Sequence, residues 1–94
     1  MSYARLVRFS CGPGDDAPAQ ALADDLAPLI REQPGCEEVV VFGDAEGEGG
    51  LFVLWDSQEH ADSAARVIRP KLDEHLSGHL SAPPDARLFS VLSR

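Results

Sequence analysis

The segment LFVLWDS, residues 51–57, places five large apolar side chains in a row. A strand with one face in water alternates apolar and polar residues, and this segment does not, so both of its faces must be covered. The chain has only 94 residues, which is enough for one domain with a modest core. Any fold proposed for the chain must therefore explain what covers the second face of this strand.

Apolar periodicity and turn residues divide the chain into four strands and two helices. The strands are predicted at Tyr3–Ser10, Cys36–Phe42, Leu51–Asp56 and Arg87–Leu92. One helix is expected from about Asp16 to Gln33, and the other from a cap at Asp56 or Ser57 to the SAPPD segment. Pro28 and Pro70 lie inside the apolar stripes, so we expect the first helix to bend and the second to kink or split.

The order β-α-β-β-α-β favours an α+β ferredoxin-like sandwich, in which residues 1–94 form a single domain. Its four-stranded antiparallel sheet carries both helices on one face. Strands two to four are nevertheless apolar on both faces. Covering about six further side chains, at about 1.5–3 kcal/mol each, would contribute on the order of 10 kcal/mol. We therefore predict a homodimer whose sheets pack face to face; the alternative is that loops or the C-terminal tail cover this face.

The charge balance excludes several classes of partner. The formal net charge is −8, from 16 acidic and 8 basic residues, and such a field repels nucleic acids and anionic membrane surfaces. No window approaches the apolar length of a membrane span or a signal peptide, so we expect a cytoplasmic protein. Cys11 and Cys36 should lie at opposite ends of the sheet, about 20 Å apart, as two independent thiols.

Three segments carry a family resemblance: RFSCGPG after the first strand, IREQPGC before the second, and LFVLWDSQEHADSA from the third strand into its helix. They resemble the antibiotic biosynthesis monooxygenase (ABM) superfamily, whose members are dimeric α+β barrels. The resemblance implies a ligand cavity between the sheet and the helices of each subunit, lined by Trp55. The cofactor-free oxygenases of this family have an Asn four residues before that Trp and a Tyr six residues after it. Leu51 and Ala61 occupy these positions here.

Trp55 and His75 are the candidate catalytic residues. An indole can stack on a flat aromatic substrate and donate its N–H, and a histidine near neutral pKa can take a proton from a phenol or an enol. With Trp55, we expect a ligand to contact Phe9, Val53, Leu72 and His79. The alternative is that Trp55 is a core residue and that the histidines only lie near a helix C-terminus.

No metal site and no cofactor are expected. His75 and His79 have the i, i+4 spacing of a metal pair, but a stable site needs a third ligand, and none is apparent. Two functions remain open: an ABM-like protein that binds a hydrophobic aromatic or polyketide-like molecule and acts on it as a cofactor-independent monooxygenase, or a non-catalytic dimeric ligand-binding or assembly module. Haem handling is a third interpretation, for which only His75 has a counterpart in the haem-degrading branch of the family.

Overall fold

A computed structural model describes residues 2–15 and 17–94 of the chain and has the predicted order of elements. Its strands are β1 (Tyr3–Ser10), β2 (Cys36–Gly43), β3 (Glu48–Trp55) and β4 (Asp85–Ser90). The first helical stretch consists of α1 (Ala17–Ala21), a π-helical turn (Leu22–Leu26) and α2 (Ala27–Arg31). The second helix is α3 (Gln58–Leu76).

The sheet order is β2-β3-β1-β4, and all three neighbouring pairs are antiparallel. The ferredoxin-like fold predicted from the sequence is therefore confirmed. The helices cover one face, where the main hydrophobic core forms between them and the inward side chains of the sheet. Leu22, Ile30 and Leu76 are completely buried in that core.

The β2–β3 hairpin is tighter than expected. The predicted strand bounds leave residues 43–50 to the loop, but Gly49 and Gly50 pair with residues of both neighbouring strands, so β3 begins at Glu48. The Asp44 side chain closes the remaining turn, accepting hydrogen bonds from the backbone N–H groups of Glu46 (2.9 Å) and Glu48 (3.1 Å). Strand β4 also begins earlier than predicted, and Leu92 lies beyond it with 94% of its surface exposed.

The two internal prolines affect their helices differently. Before Pro28, the backbone N–H of Ala27 donates to the carbonyl of Leu22, five residues back, in the π-helical turn. A proline lacks the N–H of a regular helix and crowds the carbonyl four residues before it, which a wider turn accommodates. Of the two outcomes expected at Pro70, a kink or a split, the split does not occur, because α3 continues through this exposed residue. The predicted start of the first helix at Asp16 lies outside the described residues.

The side of the sheet without helices, which we call the open face, is largely apolar. The register places residues of all four strands on it. Three of its large side chains stay substantially exposed in the single subunit: Val40 (44%), Phe42 (40%) and Phe89 (46%). The complete apolar set is Ala4, Leu6, Val40, Phe42, Phe52, Leu54 and Phe89.

The C-terminal tail, residues 91–94, crosses one end of the sheet. The backbone N–H of Val91 donates to the Ser2 carbonyl (2.9 Å), and Arg94 Nη1 contacts Glu37 Oε1 (3.2 Å) at the opposite edge. These contacts take the tail past the end of the open face where two residues are only 7% exposed, Ala4 and Leu54. Phe89, which pairs with Ala4 in the same row, is nevertheless 46% exposed, so the tail leaves this face largely uncovered.

The two cysteines lie far apart in the fold. Strands β1 and β2 both run antiparallel to β3, so Cys11, after β1, and Cys36, at the start of β2, lie at opposite ends of the sheet. Both are free thiols, as predicted. Within residues 2–15 and 17–94, no helix combines the length and apolar character needed to cross a membrane.

Candidate functional site

A cavity of about 300 Å³ lies between α3 and the sheet. Its floor consists of inward side chains of β1 and β3, and α3 forms its roof. The segment leading into β4 closes one side. Its lining residues are Arg5, Val7, Leu51, Val53, Trp55, Ala61, Ala65, Ile68, Arg69, Leu72, Asp73, Pro84, Asp85 and Ala86.

Trp55 ends β3 and lines this cavity with only 2% of its surface exposed. Its position follows from the period of the strand, since Leu51, Val53 and Trp55 all point to the helix side. The indole Nε1–H is buried and has no hydrogen-bond partner among the described residues. Leaving such a donor unpaired costs about 1–3 kcal/mol. The Nε1 atom itself has almost no accessible surface, so a ligand oxygen can pair with this donor only after a local shift of the cavity wall.

The polar groups of the cavity come from both walls. Arg5 lies on the floor, where its side chain is 22% exposed and Nη2 contacts Asp62 Oδ1 at 3.3 Å. Arg69 and Asp73 are exposed residues of α3 at the roof. Asp85 lies at the start of β4 and pairs with Arg87 at 3.3 Å. Arg5 is the least exposed of these charged groups, so its field is the least screened by water.

The structure brings some of the predicted site residues together. Trp55, Val53 and Leu72 line the cavity, whereas Phe9 is buried in the core and does not. Leu51 and Ala61 also line the cavity. These are the positions at which the resemblance places the Asn and the Tyr of the oxygenases. This part of the wall is therefore apolar in this chain.

Both predicted histidines lie outside the set of lining residues. His75 Nδ1 contacts the Lys71 carbonyl (2.7 Å), and its Nε2 contacts Asp25 Oδ2 (3.3 Å) in the π-helical turn. The backbone hydrogen bond to Lys71, followed by the contact with Asp25, raises the pKa of His75. His79 contacts Asp15 Oδ2 at 3.1 Å. The prediction that both histidines share one helix face is wrong, because α3 ends at Leu76 and His79 follows the left-handed Gly78 in the turn beyond it.

Arg5 lines the cavity but is not among the site residues predicted from the sequence. The signal was present, because Arg5 shares the inward face of β1 with Val7 and Phe9 and interrupts an otherwise apolar row. A charged residue on a buried face usually has a partner or a function. Among the described residues, no group of three or more His, Cys, Asp or Glu side chains is arranged to hold a metal ion.

The fold is shared with solved structures although the sequence stands apart. No protein-family profile matches the chain, and no characterised protein matches it in sequence. A protein provisionally named an antibiotic biosynthesis monooxygenase, from Nitrosomonas europaea, superposes with a TM-score of 0.81 at 11% identity, covering 97% of this chain and 90% of that one.

Two Streptomyces enzymes share the same architecture. A monooxygenase from the ActVA-Orf6 gene of Streptomyces coelicolor, in complex with nanaomycin D, has a TM-score of 0.72 at 20% identity, over 99% of this chain and 89% of that one. A variant of SnoaB, a cofactor-independent oxygenase from Streptomyces nogalater, has a TM-score of 0.75 at 15% identity, over 99% and 95%. The chain therefore has the fold of the antibiotic biosynthesis monooxygenase proteins, as its sequence resemblance predicts.

Proposed function

We propose that this protein binds a flat hydrophobic molecule, aromatic or polyketide-like, in the cavity beneath α3. The observation that carries the proposal is Trp55, which lines the cavity and whose indole N–H is buried without a partner among the described residues. A ligand with a ring system and a carbonyl or phenolic oxygen would fill the apolar space and accept this hydrogen bond. The volume, about 300 Å³, is at the lower end of ligand pockets and suits a small number of fused rings.

Cofactor-independent oxygenation of such a ligand is the second part of the proposal. It is supported by the fold shared with a cofactor-independent oxygenase and with a monooxygenase that binds nanaomycin D. Trp55 would position the ring. His75 is still the base in our prediction, although its ring contacts Asp25 and it does not line the cavity. The apolar residues Leu51 and Ala61 favour the alternative, a protein that binds its ligand without transforming it.

We further propose that the functional unit is a homodimer in which a second copy covers the open face. Val40, Phe42 and Phe89 remain 40–46% exposed there, although each is a residue that gains from burial. The C-terminal tail leaves these three side chains exposed, so the face needs another cover. A second copy supplies the same apolar surface and would close the barrel.

The single tryptophan makes ligand binding directly observable. In a ¹H–¹⁵N correlation spectrum the chain has one indole N–H signal, which belongs to Trp55. Titration with 2-naphthol should move this signal in a saturable manner, since the naphthol oxygen accepts the N–H. Ala65 lines the cavity, and Ala65→Phe should abolish the shift by filling it. Val67, exposed on the same helix, provides the matched control Val67→Phe, which should bind normally.

Catalysis is tested separately with an oxygen electrode. Anthrone added to the metal-free protein should cause oxygen uptake above the uncatalysed rate if the protein is an oxygenase. Binding of 2-naphthol without oxygen uptake from anthrone would favour the non-catalytic alternative. An indole signal that does not respond to 2-naphthol, or that responds equally in Ala65→Phe, would contradict ligand binding in this cavity.

A further inference from the structure

The cavity floor holds two hydrogen-bond donors that face the same side of the sheet. Arg5 pairs with Val53 in the β1–β3 register, and Trp55 is the next inward residue of β3. Diagonal neighbours of this kind lie about 7–8 Å apart, within reach of a long side chain. Arg5 and Trp55 both line the cavity. A single small ligand can therefore contact both.

The donors of Arg5 are only partly used. A guanidinium carries five N–H donors. Among the described residues, the only side-chain hydrogen bond of Arg5 joins Nη2 to Asp62, at 3.3 Å. Asp62 lies on α3 with a side chain that is 53% exposed, whereas that of Arg5 is 22% exposed. The carboxylate of Asp62 is thus the better hydrated partner, and Arg5 retains donors beneath α3.

The hydrogen-bond acceptors that line the cavity are more exposed to water than these two donors. Asp85 already pairs with Arg87, and both side chains are more than half exposed. Asp73 is exposed on the roof, one helical turn from Arg69. The least exposed polar groups, Arg5 and Trp55, are both donors, so the interior selects a ligand that accepts hydrogen bonds and carries negative charge.

We infer that the ligand is an aromatic oxyanion, a carboxylate or a phenolate, whose charged oxygen is bound by Arg5 beside the Trp55 N–H. This inference rests on the proposed function, because it assigns a chemical class to the ligand of the same cavity. Arg5 is then the residue that distinguishes ionised from neutral aromatic ligands. If the protein is an oxygenase, the same contact would stabilise the substrate anion that reacts with oxygen.

Matched probes separate charge from shape. The affinities of 2-naphthoate, 2-naphthol and 2-methoxynaphthalene for the full chain are measured by calorimetry at pH 7 and again at pH 10, where 2-naphthol is largely ionised. Naphthoate should bind more tightly than the neutral methyl ether, and naphthol should gain affinity at pH 10 if a phenolate is the preferred oxyanion. The naphthoate and naphthol arms thereby distinguish the two sources of negative charge.

Substitutions then assign the effect to Arg5. Arg5→Met should weaken naphthoate binding about 10- to 100-fold, as expected for a lost charge-assisted hydrogen bond, and leave methoxynaphthalene unchanged. Asp62→Asn removes the competing carboxylate and should strengthen naphthoate binding. Arg66→Gln, at an exposed residue of α3 that does not line the cavity, is the matched control and should change it less than about threefold, because an exposed charge is screened.

The outcomes distinguish the two proposals. Binding of all three probes with equal affinity, unchanged in Arg5→Met, would overturn the oxyanion inference while leaving hydrophobic binding intact. Failure of every probe to bind the parent protein would overturn the proposed function itself. If Arg5→Met fails to fold by circular dichroism, Arg5→Lys and Asp62→Asn provide the test, since the first keeps charge without the guanidinium and the second leaves Arg5 in place.

Discussion

Replacing Trp55 by phenylalanine should separate the stability of the fold from the function of the cavity. The phenyl ring keeps most of the buried apolar surface, and the lost ring volume should cost about 1–2 kcal/mol. The substitution also removes a buried N–H that has no partner among the described residues and whose burial costs about 1–3 kcal/mol. These terms oppose each other, so the free energy of unfolding should fall by no more than about 1 kcal/mol and rise by no more than about 2 kcal/mol.

The affinity for 2-naphthol should behave differently. It should fall by about 2- to 10-fold in Trp55→Phe, the value of one neutral hydrogen bond. Urea unfolding followed by circular dichroism gives the stability, and calorimetry gives the affinity, since the variant has no tryptophan to observe. Phe9→Leu is the control: Phe9 is 4% exposed and does not line the cavity.

Phe9→Leu removes buried volume without removing an unpaired donor. It should therefore lower the free energy of unfolding by about 1–2 kcal/mol and leave naphthol affinity unchanged. The reasoning would be refuted if Trp55→Phe were the more destabilising of the two substitutions and also bound naphthol like the parent protein. That result would mean that the indole N–H is satisfied in the free protein and contributes nothing to the ligand.

Three further perturbations test other parts of the structure. Phe89→Glu on the open face should convert a dimer into a 10.1 kDa particle in sedimentation equilibrium, whereas Val67→Glu on α3 should not. The pKa of His75 is raised in the folded protein, so its stabilising contribution is complete below about pH 6.5 and is lost as the pH rises through the folded-state pKa. His75→Gln should therefore destabilise the protein more at pH 5.5 than at pH 8.5, as measured by urea unfolding. Gly50→Ala should lower the melting temperature, because its Cβ would meet the Val7 carbonyl and the ring of Phe42, whereas Ala45→Gly in the exposed turn should have a small effect.

Much of the architecture follows from side-chain periodicity. The bounds of β1 agree with the prediction, and the helix stripe ending at Leu72 and Leu76 is buried as expected. These features are local, since a period of two or of 3.6 residues decides which side chains share a face. The order of six elements then restricts the sheet to few topologies, of which the antiparallel ferredoxin-like arrangement is the one found.

The features that sequence could not predict depend on how elements pack. The helical period places His75 on the buried side of α3, but it does not say whether this side faces the cavity or Asp25. The route of the tail to Glu37 is likewise a long-range contact without a local signal. Arg5 differs from these, because the alternation of β1 alone places this charged residue on the same face as Val7 and Phe9.

The uninterrupted apolar run of β3 is explained by the two surfaces that this strand serves. Val53 and Trp55 form part of the cavity floor, and Phe52 and Leu54 point to the open face. Because alternate residues serve different surfaces, neighbouring positions provide controls for each other. Val53→Ala should weaken naphthol binding and leave self-association unchanged, whereas Phe52→Ala should weaken self-association and leave naphthol binding unchanged. If either substitution altered both properties equally, the cavity and the open face would not be independent surfaces of one strand, and the separation of ligand binding from dimerisation would fail.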